Sequence, residues 1–206
     1  MLAVFDRQHH GKPNRNDYGA AADIDGDGVI EVWERESELT PLYINSAKKT
    51  IQSAGHTAMV EDEGWYSSRH ERANINAKSV DGPVAYVACH LNAGGGDYCA
   101  VFYDYRSKNG RRLAEMVGSA VGELHIPSIG RVVIRAANPD DWTRNAYYTI
   151  KGLYAGPANI SGICFEPLFM DNPEHQRLIA ADGLQWIGTA LATGIMRWGL
   201  GRTATV

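Results

Sequence analysis

Apolar residues fall along the chain in short blocks, separated by longer stretches in which they recur every three or four positions. The blocks "LAVF" (2–5), "TAMV" (57–60), "VAYVAC" (84–89), "CAVFY" (99–103), "VVI" (132–134) and "GICF" (162–165) read as strands. Several are almost wholly apolar, as expected when both faces of a sheet are covered. Between them the helical period predicts one helix from a Thr40–Pro41 cap-and-proline pair to Gly55, and others over 67–79 and 107–124. Asn172–Pro173 repeats the cap signal, and Leu184, Ile187, Leu191 and Ile195 then recur through a terminal helix. Strands alternating with helices predict an α/β fold: one domain over 1–206, a mostly parallel sheet, helices on both faces. "NAGGGDY" (92–98) predicts a hairpin between two strands, which would make the sheet mixed. In such sheets the ligand site lies beyond the carboxyl ends of the strands.

Composition narrows the function classes. The 206 residues suit a single domain with a full core. A net charge of −4 argues against nucleic acid as a partner, because binding to polyanions rests on clustered Lys and Arg. The one compact basic cluster, Lys108 to Arg112, reads as a solvated helix start. The first residues carry no basic n-region followed by a long apolar run, and no 18-residue apolar stretch occurs, so no membrane insertion and no signal peptide are expected. That reading implies a chain made in a cytoplasm. Cys89, Cys99 and Cys164 cannot all pair within one chain and lack C-x-x-C spacing, which predicts buried free thiols and no cysteine zinc site.

Three polar groups close predicted strands: the pair His9–His10 after "LAVF", His90 after "VAYVAC" and Glu166 after "GICF". Two neutral imidazoles and a carboxylate suit a catalytic zinc, which usually takes three protein ligands and keeps one position open for water. A further glutamate then supplies a base for that water.

On these residues the sequence resembles the zinc-dependent N-acetylmuramoyl-L-alanine amidases of bacterial autolysins and phage endolysins. The family's Asp-x-Gly-His-Gly-Gly falls on Asp6-Arg7-Gln8-His9-His10-Gly11, which puts His9 at the ligand position, with His10 taking that place if the register slips by one. "CHLNA" (89–93) matches the family's His-x-Asn-Ala, and "FEPLFMDNPE" (165–174) its Glu-x-x-Phe-x-x-Asn run, which bears the catalytic glutamate. The resemblance implies zinc held by His9, a glutamate and His90, with Glu166 as the catalytic base. It also marks Asn92 and Arg72 for substrate, while Tyr147, Tyr148 and Tyr154 are candidates for lining a glycopeptide groove. Gln8 and His10 replace family glycines, which makes the turn less permissive in φ.

The zinc carboxylate has several candidates, because "DIDGDGVIEVWERESEL" (23–39) offers Glu31, Glu34, Glu36 and Glu38. Part of it matches a calcium loop, Asp-x-Asp-x-Asp-Gly-x5-Glu, with Asp23, Asp25, Asp27, the Val29 carbonyl and Glu34 as ligands. The residues before Asp23 make a poor helix, so a lone calcium-stapled insertion over 23–34 is expected rather than an EF-hand. If Glu34 closes that loop, Glu38 shares its face of the helix and Glu36 faces inward with Leu39. Glu36 is then the zinc ligand, with Glu38 in reserve should the turn break at Pro41.

The function implied is a monomeric peptidoglycan hydrolase that cuts the amide between N-acetylmuramic acid and L-alanine, of the phage endolysin kind, reaching the cell wall after release from the host cytoplasm. A zinc peptidase cutting within the stem peptide, and a non-catalytic calcium-stabilised wall-binding module, remain alternatives.

Overall fold

The computed structural model describes residues 1–13 and 17–203. Six strands, β1 (Leu2–Arg7), β2 (Thr57–Glu61), β3 (Val84–Cys89), β4 (Tyr98–Asp104), β5 (Arg131–Ala137) and β6 (Ile160–Glu166), form one sheet in the order β2-β1-β3-β6-β4-β5. Among the described residues four α-helices lie between strands, α1 (Glu36–Ser53), α2 (Tyr66–Lys78), α3 (Lys108–Gly122) and α4 (Arg144–Tyr148), and two follow β6, α5 (Pro173–Ala180) and α6 (Gly183–Thr203). This is the α/β architecture the alternating pattern predicts.

Strand alternation divides the core in two. Ala3, Phe5, Val87, Val101 and Phe165 face a layer built by α1, α3 and α6, while Leu2, Val4, Tyr86, Phe102 and Cys164 face α2 and α4. With both faces covered, β3 has no exposed position, which is why "VAYVAC" shows no polar alternation. All three cysteines are buried and unpaired. Among the described residues no single helix is long and apolar enough to cross a membrane.

Two local expectations are corrected. β3 and β4 form no hairpin: β6 lies between them, parallel to β3 and antiparallel to β4, and this one reversed pairing makes the sheet mixed. The glycines after β3 are engaged elsewhere, for the Gly94 and Gly95 N–H groups donate to Asp171 and Asn92 bridges to Phe169 in the loop that follows β6.

The second correction concerns the start of α1. The helix begins at Glu36, not at a Thr40 cap, and Pro41 lies inside it. Proline lacks the N–H that would bond the carbonyl four residues earlier, and here that carbonyl, of Ser37, accepts instead from Arg7 Nε at 3.0 Å and Nη2 at 2.6 Å. A side chain from the end of β1 thus satisfies the group the proline leaves open, and the first turn survives.

Candidate metal centre

Three of the parallel strands, β1, β3 and β6, end at the same pole of the sheet, and the chemistry gathers there. Just past β1 the chain turns through His9, whose φ of +57° is left-handed, and Gly11 at φ +64°. A side chain at Gly11 would overlap the Asp62 carbonyl, so that position requires glycine. His10, standing where the family has glycine, is not in the left-handed region. The strained residue is His9 itself, at an expected cost on the order of 1 kcal/mol.

The turn is held from beneath. The Arg69 guanidinium, fully buried on α2, donates to the Asp6 carboxylate and to the carbonyls of Arg7 and His10. Tyr86 and Gln8 donate to the same carboxylate. From above, Asp17 Oδ1 lies 2.7 Å from His9 Nδ1, and Lys12 Nζ donates to Asp17 Oδ2 at 2.8 Å. Burial alone would raise the Asp17 pKa, but the hydrogen bonds from Lys12 and His9 hold it well below the usual carboxylate range.

With Nδ1 engaged, His9 turns Nε2 toward Glu36, 3.6 Å from Oε1. Glu36, at the first position of α1, is buried, and the same oxygen lies 2.9 Å from His90 Nδ1. His9, Glu36 and His90 offer ligand atoms that all lie within 4.8 Å of one another. Ligands about 2.1 Å from one zinc ion lie no more than about 4.2 Å apart, and the Glu36–His90 and His9–Glu36 separations of 2.9 and 3.6 Å fall inside that limit. The donor set fits as well. Burial lowers the His9 pKa, favouring the neutral imidazole a metal needs, whereas at His90 burial is overcome by the hydrogen bond with Glu36 and its charge, which raise the pKa. Burial would raise that of Glu36, but its hydrogen bond with His90 and the Ala20 N–H group hold it below the usual range, as a carboxylate. Gly19, at φ +74°, lets the loop cross here, since a Cβ would overlap both Glu36 and His9.

Glu38 faces out and pairs with Arg7 at 3.4 Å, and the His10 ring lies beside the Asp62 carbonyl, so neither joins the cluster. Glu166, at the end of β6, lines the same cleft of about 620 Å³ as the three candidate ligands. Its Oε2 accepts from Asn92 Nδ2 at 2.7 Å. Burial raises the Glu166 pKa, and the charge of Glu36 adds to this against the opposing pull of His90. A carboxyl so placed can hold and release a proton nearer neutrality than a free glutamate.

Not every sequence candidate reaches the cleft. Arg72 does not line it: Nε donates to Glu61 at 2.7 Å and Nη2 to the Glu63 carbonyl, a brace between α2 and the end of β2. Tyr148 lines the cleft, Tyr147 is buried beside it, and Tyr154 stacks on Arg106. Conversely, Lys12, Asp17, Trp65 and Tyr66 line the cleft without having stood out in the sequence. For Asp17 a signal existed: a ligating histidine commonly gives its other ring nitrogen to a carboxylate.

In the 23–34 loop, Asp23, Asp25 and Asp27 form one acidic group and Asp25, Glu31 and Glu34 another, while Val29 is exposed. Glu34 is buried and accepts from the N–H groups of Ile24, Asp25 and Glu31. Of the segment leading into this loop, residues 14–16 lie outside those described.

No protein-family model and no curated protein sequence matches the chain. Solved structures do match. The N-acetylmuramoyl-L-alanine amidase AmiC2 of Nostoc punctiforme is 20% identical with a TM-score of 0.66, covering 96% of each chain. The N-acetylmuramyl-L-alanine amidase Ami1 of Mycobacterium smegmatis is 16% identical with a TM-score of 0.65, over 98% of this chain and 97% of the other. The catalytic domain of the CD27L endolysin, which targets Clostridia difficile, is 15% identical with a TM-score of 0.56, over 96% and 97%. The chain shares the fold of these proteins over 96–98% of its length.

Proposed function

We propose that the protein is a zinc-dependent N-acetylmuramoyl-L-alanine amidase of peptidoglycan, working as a monomer and lytic in the manner of an endolysin. The observation that carries this reading is the His9–Glu36–His90 cluster opening onto one cleft with Glu166, in a fold shared with peptidoglycan amidases and an endolysin domain. His9, Glu36 and His90 would hold Zn²⁺, which when bound polarises the scissile carbonyl and makes a water acidic enough to attack at neutral pH. The chain's own groups do the rest. Glu166 takes the proton of the attacking water and returns it to the departing amine of L-alanine. Asn92 fixes the Glu166 carboxylate, and Asp17 with Lys12 fixes His9 so that its free nitrogen stays directed into the cleft.

The test is mass spectrometry of digested peptidoglycan, expected to give intact stem peptides with free L-alanine amino termini and about one zinc per active chain. Cut stem peptides, or activity without zinc, would reject the reading. Glu166→Gln, nearly isosteric but unable to accept the proton, should retain zinc and lose on the order of 10²–10⁴-fold in turnover.

Calcium binding at the 23–34 loop is part of the proposal, supported by its ligand spacing and its two acidic groups. Calcium at a hundredfold excess over its dissociation constant should stabilise the fold by about 2.7 kcal/mol. Asp25→Ala with Asp27→Ala should lower the melting temperature to the calcium-free value. An identical melting temperature of the wild type with calcium and with a chelator would leave the loop an acidic turn.

A further inference from the structure

The cleft does not end at Trp65, Tyr66 and Tyr148. The same three residues line a second groove of about 660 Å³ that runs on between the outer face of α2 and the segment around Lys151. Its floor is tightly tied. His70 Nε2 lies 2.8 Å from the Thr149 carbonyl, and Asn74 Nδ2 donates to the Gly152 carbonyl at 3.2 Å. A Cβ at Gly152 would come within 2.5 Å of the His70 ring, so the two walls approach this closely only because that residue is glycine.

The walls carry a sequence of chemistries. Nearest the metal centre they are aromatic. Lys151 comes next, its Nζ 4.2 Å from the centre of the Tyr148 ring. On α2, Glu71, Ile75 and Lys78 form one exposed stripe at i, i+4 and i+7. Among the described residues Glu71, Lys78 and Lys151 make no ion pair with the protein, so a cation, an anion and a second cation are presented to whatever lies in the groove.

We propose that this groove binds the peptide side of the substrate, a short zwitterionic chain, and not the glycan; the proposal rests on the amidase reading. The scissile amide joins an N-acetyl sugar to a peptide bearing free carboxylates and a side-chain amine. Unpaired charges of both signs complement such a peptide, and offer little to a strand of neutral sugars. The spacing agrees. At about 1.5 Å per helical residue, Glu71 stands ~7.5 Å and Lys78 ~18 Å beyond Tyr66. An extended peptide advances about 3.4 Å per residue. Glu71 therefore falls about two residues, and Lys78 about five, beyond a substrate residue held beside Tyr66. Trp65 and Tyr148 take the apolar first residue, Lys151 an early carboxylate, Glu71 the amine and Lys78 the terminal carboxylate.

The experiment uses the zinc-loaded full chain and two soluble muropeptides, one with free stem-peptide carboxylates and one with those carboxylates amidated. Lys151→Gln and Lys78→Gln together should raise KM on the free acid about fivefold, and the gap from wild type should close on the amidated form. Glu71→Gln should weaken binding of the peptide whose amine is free relative to its acetylated form. Equal losses on the paired substrates, or none, would overturn the proposal. In parallel, the fluorescence that is lost in Trp65→Phe, one of five tryptophans, is titrated in the wild type with the sugar-free stem peptide, which has no scissile amide, and with a peptide-free N-acetyl sugar oligomer. The peptide should bind in a charge-dependent way and the sugar should not quench; the reverse overturns the groove assignment. Charge-dependent binding without hydrolysis would reject the amidase reading and keep the groove, whereas hydrolysis indifferent to these charges would reject the groove alone.

Discussion

His9 reaches the cleft with one ring nitrogen already committed to Asp17, and that commitment decides which nitrogen is left for a metal. Asp17→Ala should therefore weaken zinc binding by about 10- to 100-fold, the usual effect of removing such a partner, as read by competition with a chromophoric chelator. Asn92 has a different part. Its N–H favours the charged form of Glu166, so Asn92→Ala should raise the Glu166 pKa further. If Glu166 must be ionised to take the water's proton, the acid limb of the kcat/KM profile then moves to higher pH. A limb that stays in place would remove this hydrogen bond from the catalytic pH dependence. At this scale, what the sequence shows depends on where a residue stands. His90 and Glu166 close apolar strands and are legible as polar groups at sheet ends. Glu36 is legible from its helical phase, two residues from Glu34 and three from Leu39. Asp17 and Lys12 lie outside the helices and strands, and no periodicity announces them. The resemblance marks Arg72, yet it is Arg69, on the buried face of the same helix, that clamps the turn at His9; nothing local says which of two arginines three residues apart points inward.

Helix α1 shows how a local rule can be overridden from a distance. A threonine before proline is a sound start signal, and it fails here because the carbonyl that Pro41 cannot satisfy is taken by Arg7, thirty residues away from Ser37. The helix gains its first turn, and with it the buried position of Glu36. Arg7→Ala should cost about 1–2 kcal/mol in denaturant unfolding, since it leaves that buried carbonyl without its donors. The loss should shrink in a Pro41→Ala background, where the restored N–H can bond Ser37 within the helix. Additive effects in this double-mutant cycle would show that Arg7 does not compensate for the proline. The other strands and helices lie close to their patterns, except that the single helix expected after Asn172–Pro173 is two, α5 ending at Ala180 and α6 starting at Gly183, with Asp182 in the left-handed region between them. β3 coincides with its apolar run, and Asn172 caps α5 through its side chain as the Asn-Pro pair implied.

At the scale of the molecule, the layers were legible and the strand order was not. Apolar runs and helical periods specify a covered sheet, but which strands become neighbours depends on long-range pairing, and the glycine-rich stretch after β3 looks like a hairpin until the loop after β6 is there to claim it. The order β2-β1-β3-β6-β4-β5 has a consequence for how the chain acquires its shape during synthesis. The strand at the middle of the sheet, β6, is the last to emerge. Until it does, the β1–β3 half and the β4–β5 half share no strand pairing, and each exposes an open apolar edge, a condition that favours slow assembly and aggregation. A nascent chain stalled before Ile160 should accordingly be digested rapidly by protease, and one extended through α6 should become resistant in a single step. Glu166 is the final residue of that closing strand. If Glu166 is the general base proposed above, a fragment that stops short of β6 has no hydrolytic power, and activity begins only once Ile160–Glu166 has paired into the sheet.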